Sequence, residues 1–189
     1  MTTPDFDRLA NVLNFTEADL SANREGFITE RQLGSLQTKR LGMALVWVGT
    51  FLVASGFAIF SIFFLSLSLK SLFRSLGDFL LSLPAIATAL AAGALAAGCF
   101  YLLFTDRRQR WFAYGHDLKA RNVNCATGQL TKGEVIGNRT HYWKISIGNE
   151  QFRINQKLYS CFEQYGAYHV YFTPHTGIIL SAEFSEEPI

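Results

Sequence analysis

The chain has 189 residues, of which 49% are hydrophobic and only 17% charged, and its net charge is +2. So small a charge excludes a polyanion binder held by bulk electrostatics, and so low a charged fraction does not suit a wholly water-soluble domain of this length. The apolar residues are also gathered: Leu41–Leu69 is 29 positions without a charged residue, and Phe79–Thr105 is 27.

In chain order, the first predicted element is a helix over Asp5–Asn14, where Phe6, Leu9 and Leu13 share one face. The next stretch, "SANREGFITERQ" from Ser21 to Gln32, has the look of a twelve-position calcium loop with Gly26 at its sixth place. Its two ends are wrong for that role. Ser21 stands where Asp is wanted, and Gln32 stands where a bidentate Glu is required. A helix–stop–helix reading accounts for more residues. Thr16 serves as an N-cap with Asp19 at N3, and Phe15 and Leu20 form the hydrophobic staple. Thr29 repeats the device with Gln32, Ile28 and Leu33. Gly26 falls where the first of these helices should stop in a left-handed conformation.

A hydrocarbon core of ~30 Å needs ~20 helical residues, so both apolar runs are long enough to cross a bilayer. The spans are expected at about 42–65 and 81–104, within a 41–105 hairpin closed by a 66–80 outer loop. About 40 mostly polar residues before the first run argue against a cleaved leader. Pro84 suits the first turn of the second helix. Ala85, Ala89, Gly93 and Ala97 follow at four-residue spacing, a small-residue face that permits close helix packing. In the first span Thr50, Ala54 and Ala58 offer the matching face, and a homodimer through the same stripe is the sharper alternative. Neither span holds a charged residue or a histidine, which excludes the usual intramembrane relays and favours an anchor.

Lys and Arg flank the spans unevenly, with Arg24, Arg31, Lys39 and Arg40 before the first and Arg107, Arg108, Arg110, Lys119 and Arg121 after the second. The connecting loop has only Lys70 and Arg74. The bias puts both termini in the cytoplasm of an expected bacterial plasma membrane. In the 106–120 linker, Arg107, Arg108, Arg110 and Trp111 are the expected contacts to anionic lipid headgroups. Lipid explains this collar without a nucleic-acid partner.

From residue 121 the pattern changes to short strands. Val123–Gly137 reads as one long strand interrupted near Gly128 and Gly133, or as two shorter ones. His141, Trp143, Ile145 and Ile147 alternate with polar positions, and Gly148-Asn149 fits a type II′ hairpin turn returning through Phe152 and Ile154. Asn155 caps a short helix with Leu158, Phe162 and Tyr165 on one face and Gly166 at its end. Two strands follow, through Tyr168, Val170 and Phe172 and through Ile178, Leu180, Ala182 and Phe184, separated by the turn "TPHTG". Strand, strand, strand, helix, strand, strand is the order of an OB-fold, with an SH3-like barrel as the alternative.

No catalytic or cofactor motif occurs. Cys99, Cys125 and Cys161 form neither an even set nor a CxxC, which fits a reducing compartment. His141, His169 and His175 with Cys125 and Cys161 lack the closely spaced pairs of a zinc site. Tyr142 and Tyr171 stand out as exposed aromatics able to form a binding face, or equally to serve as plain strand surface or as contacts to the membrane.

The "YFTP" of Tyr171–Pro174 followed by the "ILSAE" of Ile179–Glu183, set behind a hairpin, resembles a set of uncharacterised bacterial two-span membrane proteins with a small carboxyl-terminal β-domain. In outline the plan is also similar to NfeD-type proteins, which implies a role in organising partners in membranes. The fold class expected is therefore a membrane α-helical hairpin with short amino-terminal helices (1–40) and a small all-β domain (121–189). The function expected is non-enzymatic, without cofactor or metal: a membrane-anchored module for an unidentified protein partner, with an assembly subunit of a larger membrane complex as the alternative.

Overall fold

The computed structural model describes residues 4–72, 87, 90–98, 101, 111–136 and 141–185. Two compact units emerge, residues 1–38 with 113–189, and residues 39–112. The amino-terminal segment and the β-domain, which the sequence presents as two regions, thus share one unit.

In that first unit the described helices before the sheet are α1 (Pro4–Leu13), α2 (Glu17–Arg24) and the start of α3 (Glu30–Leu72), followed by the helical residues 111–120. Their ends are set by local chemistry. The Thr16 hydroxyl accepts from the Asp19 backbone N–H while the Asp19 carboxylate accepts from the Thr16 N–H, a complete capping box. Thr29 and Gln32 repeat it at the start of α3. Gly26, at φ +87°, ends α2 in a Schellman arrangement, with Phe27 N–H donating to the Ala22 carbonyl and Gly26 N–H to that of Asn23. Ser21–Arg24 is thus helix, and the calcium-loop alignment has no loop there to occupy.

Among the described residues five antiparallel strands follow in the spatial order β3-β2-β1-β4-β5: β1 (Asn124–Ile136), β2 (His141–Ile147), β3 (Glu150–Ile154), β4 (Ala167–Phe172) and β5 (Ile179–Phe184). The short helix α4 (Gln156–Cys161) stands between β3 and β4, with Asn155 as N-cap. β1 is one strand serving both halves of the sheet. Its residues 124–129 pair with β4, and residues 130–136 pair with β2. The handover falls between Gln129 and Leu130, just after Gly128, where φ is +154° and the chain lies against Gly148. The β2–β3 turn has positive φ at Gly148 and not at Asn149, as type II′ requires.

One expectation fails in detail. α4 stops at Cys161, so Tyr165 is not on its face; it takes φ +64° beyond the helix and is exposed. Gly166 has a different role from ending the helix. A side chain there would strike the Tyr168 ring at 2.8 Å.

The core joins both sets of elements. Leu9, Phe15 and Leu20 pack in one cluster with Leu130, Ile145, Ile147, Phe162, Tyr168 and Val170. A second cluster combines Ile28, Leu33 and Leu36 with Leu180, flanked by Tyr114 and Leu118 of the helical residues 111–120. Burying a side chain of this size stabilises by about 1.5–3 kcal/mol, so the amino-terminal helices are structural parts of the β-unit.

The second unit carries the apolar run. Among the described residues one helix is long and apolar enough to cross a membrane, over Glu30–Phe63, and none of its most apolar window is buried. α3 continues to Leu72, so the first residues of the expected outer loop are helical. The second expected span is described only at 87, 90–98 and 101, and a two-span hairpin is therefore not shown.

Candidate functional site

Alternate residues of a strand share a face, and the register brings the polar ones of β1, β4 and β5 together on the face turned away from Ala126, Val170 and Ala182. Thr127, His169 and Glu183 form one row across the three strands, and Cys125, Tyr171 and Ser181 form the next. α2 covers this face in part. The Asn23 amide donates to the Ser181 hydroxyl at 2.7 Å, with both groups buried. Arg24 pairs with Glu183, its Nε lying 3.1 Å from Oε1. The Tyr171 hydroxyl donates to Glu183 Oε1 at 2.8 Å.

These contacts set the electrostatics. Burial raises the Glu183 pKa, but hydrogen bonds from Arg24 and Tyr171 outweigh it and hold the carboxyl below its usual range. Burial and the neighbouring Glu183 carboxylate push Tyr171 well up, so it stays a neutral donor. On the open side of the same face the Thr127 hydroxyl lies 2.8 Å from His169 Nδ1, and the Cys125 thiol lies 3.6 Å from that hydroxyl. A hydroxyl beside an imidazole is the start of a nucleophile–base pair. Glu183, the one carboxylate of the row, is committed to Arg24 and Tyr171, and the arrangement is that of a structural ion pair with a polar rim.

The other half of the sheet continues the same outward face, carrying Gly133 and Val135 on β1, Tyr142 and Lys144 on β2, and Arg153 on β3. The Arg153 guanidinium lies 4.2 Å from the Tyr142 ring centroid. Tyr142 therefore stands on the outward face, as its alternation implies, half-buried beside that guanidinium. Tyr171, read from the sequence as its equal, is only 7% exposed because α2 and Glu183 cover it.

A third polar cluster sits at the β4–β5 turn. Asp117, fully buried on the helical residues 111–120, accepts from the backbone N–H of His175 and Thr176, each at 2.9 Å, and from the Thr176 hydroxyl. No spacing signal could have found it, since donor and acceptor lie 58 and 59 residues apart.

Of the residues expected to meet lipid headgroups, Arg107, Arg108 and Arg110 lie outside the described residues. Trp111 is half-buried, with the Arg40 guanidinium 4.4 Å from its ring centroid. Of the expected packing stripe, Ala85 and Ala89 lie outside the described residues. Gly93 and Ala97 line a cavity of about 630 Å³ with Ala54, Ser55, Ala58 and Tyr101. Of the residues weighed for zinc, Cys161 is buried and donates to the Lys157 carbonyl, while Cys125 is exposed. No protein family, curated protein or solved structure matches the chain.

Proposed function

We propose that the protein is a membrane-anchored, non-enzymatic module that presents a small OB-like β-unit to a protein partner at the cytoplasmic surface of a bacterial plasma membrane. The observation that carries this reading is α3. The helix that gives Leu33 and Leu36 to the core of the β-unit is the same helix whose apolar window stays unburied. Apolar surface left so open needs a bilayer or another apolar surface to cover it. The strand order β3-β2-β1-β4-β5, with a helix between β3 and β4, supports the OB-like assignment over the SH3-like one. Tyr142, Lys144 and Arg153 offer an aromatic and basic face of the kind that protein partners use, since aromatics and Arg dominate interface energetics.

Alkaline extraction of membranes from cells making the full chain, together with reporter fusions at both termini, tests the anchoring. Retention in the membrane with both reporters cytoplasmic is expected. Release by alkali, or an exported β-unit, sinks the reading. Photo-crosslinking from position 142 in native membranes tests the partner face, and an adduct with a defined protein is the expected result.

The cavity lined by Gly93, Ala97, Ala54 and Ala58 favours a second reading, an assembly subunit whose small-residue face receives another helix. Purification in mild detergent separates the two: a fixed heteromeric complex supports the subunit, a lone monomer or homodimer the module.

A further inference from the structure

His116 and His175 come from distant parts of the chain and lie with ring centroids 5.3 Å apart, tilted by 44°. Both are exposed. One buried group fixes the relation between them. Asp117, the neighbour of His116, accepts on Oδ1 from the backbone N–H of His175 itself and on Oδ2 from that of Thr176. The turn is closed on its other side by Thr173 N–H to the Ile178 carbonyl and Gly177 N–H to the Thr173 carbonyl, each at 3.0 Å. The two imidazoles are thus carried on backbone that is tied together rather than on free loops.

We propose that His116 and His175 form a surface site for a borderline divalent transition ion of the zinc, nickel or copper class, held by two imidazole nitrogens with water in the remaining positions. The separation fits. An imidazole nitrogen binds zinc at about 2.0–2.1 Å, which sets the ring centre about 3.2 Å from the ion. Two such rings at a tetrahedral angle have centroids about 5.2 Å apart. Fixed backbone lowers the ordering cost that a pair of free surface histidines would meet. Ligand chemistry narrows the ion. Both Asp117 oxygens are taken up by the turn, so the site offers nitrogen and not the oxygen cage that magnesium or calcium needs. Among the described residues no group of three or more His, Cys, Asp or Glu side chains could hold a metal, so the site is open and two-ligand. The pairing joins the turn histidine to one 59 residues upstream through the same clamp, beyond the reach of any spacing rule.

The test uses the full chain in detergent, without a polyhistidine tag, titrated calorimetrically with zinc and with nickel. Saturable binding at a single site is expected. His116→Gln and His175→Gln should each weaken it at least about tenfold, and His169→Gln should leave it unchanged. In the unsubstituted protein, zinc should also shield His116 and His175, but not His169, from acylation by diethyl pyrocarbonate, read by mass spectrometry. The proposal is overturned by either variant binding like the parent, by loss in the His169 variant, by a dissociation constant weaker than about 1 mM, by magnesium or calcium binding equally well, or by shielding of only one of the pair.

Discussion

Asp117 holds Thr176 by two bonds at once, Oδ2 accepting from its backbone N–H at 2.9 Å and from its hydroxyl at 2.6 Å, while Oδ1 takes the N–H of His175. A fully buried carboxylate with three donors fixes the β4–β5 turn against the helical residues 111–120. Removing the acceptor leaves buried donors unpaired, which costs more than the net worth of the bonds. Asp117→Ala should destabilise the β-unit by about 3 kcal/mol, and Thr176→Val, which removes one donor, by about 1 kcal/mol. Chemical denaturation of the full chain in mild detergent measures both. A cost below that of the Thr176 change would mean the turn stands without the carboxylate.

Asp19 is buried at the meeting of α2 and α3. Burial raises its pKa, but hydrogen bonds from Arg31, Thr29 and Thr16 lower it further, to about 2 against an ordinary 3.8. The folded chain therefore holds this carboxylate ionised at a pH where the unfolded chain has already taken up a proton. Its contribution is fully present above about pH 4–5 and is lost as the pH falls toward 2, and it amounts to about 2 kcal/mol. Asp19→Asn should remove that share of the acid-dependent loss. Unfolding free energies of parent and variant, compared at pH 5 and at pH 2.5, should converge in acid. Curves that stay parallel would show that Asp19 does not carry the dependence.

Much of this local structure is legible in the residues. The Thr16–Asp19 and Thr29–Gln32 boxes, the glycine stop at Gly26 and the turn at Gly148 are chemistry of neighbours, and neighbours are what a sequence displays. The two-residue alternation of β2, β4 and β5 orders the strands in the same way. What the alternation cannot carry is what lies over a face. Tyr171 does point away from the core side of β4, yet α2 and the Arg24–Glu183 pair cover it, through contacts spanning some 159 residues. The same distance conceals the polar face itself. Thr127, His169 and Glu183 become a row only once β1, β4 and β5 are in register. The apolar runs are legible by length alone, and length says nothing about which residues of the second run meet the first.

The buried Asn23–Ser181 bond is the polar part of the α2–β5 contact. Its donor is the Asn23 amide nitrogen, and Asn23 Oδ1 is itself buried without a partner among the described residues. Ser181→Ala removes the acceptor and should cost about 1–3 kcal/mol. Asn23→Leu, close in shape, removes the amide and should relieve much of that cost when combined with Ser181→Ala, since replacing both partners with apolar groups can be nearly neutral. A double-mutant cycle on unfolding free energies should return a coupling of about 1 kcal/mol or more. Strict additivity would mean the two groups do not depend on each other.

Gly128 lies just before the point, between Gln129 and Leu130, where β1 passes from one half of the sheet to the other. Its φ of +154° is poorly open to other residues, and a Cβ there would meet the Gly148 nitrogen at 3.0 Å and its Cα at 3.4 Å. Both obstacles are backbone, so neither can swing aside. Gly128→Ala should destabilise the β-unit by about 1–3 kcal/mol. Gly34 provides the contrast. It lies in α3 with nothing within 4 Å of its would-be Cβ, and alanine there should stabilise by about 0.5–1 kcal/mol through helix propensity and a less free unfolded chain. Thermal melting of the two variants beside the parent should move in opposite directions. A Gly128 variant that melts with the parent would mean that the backbone at Gly128 and Gly148 can move apart without cost.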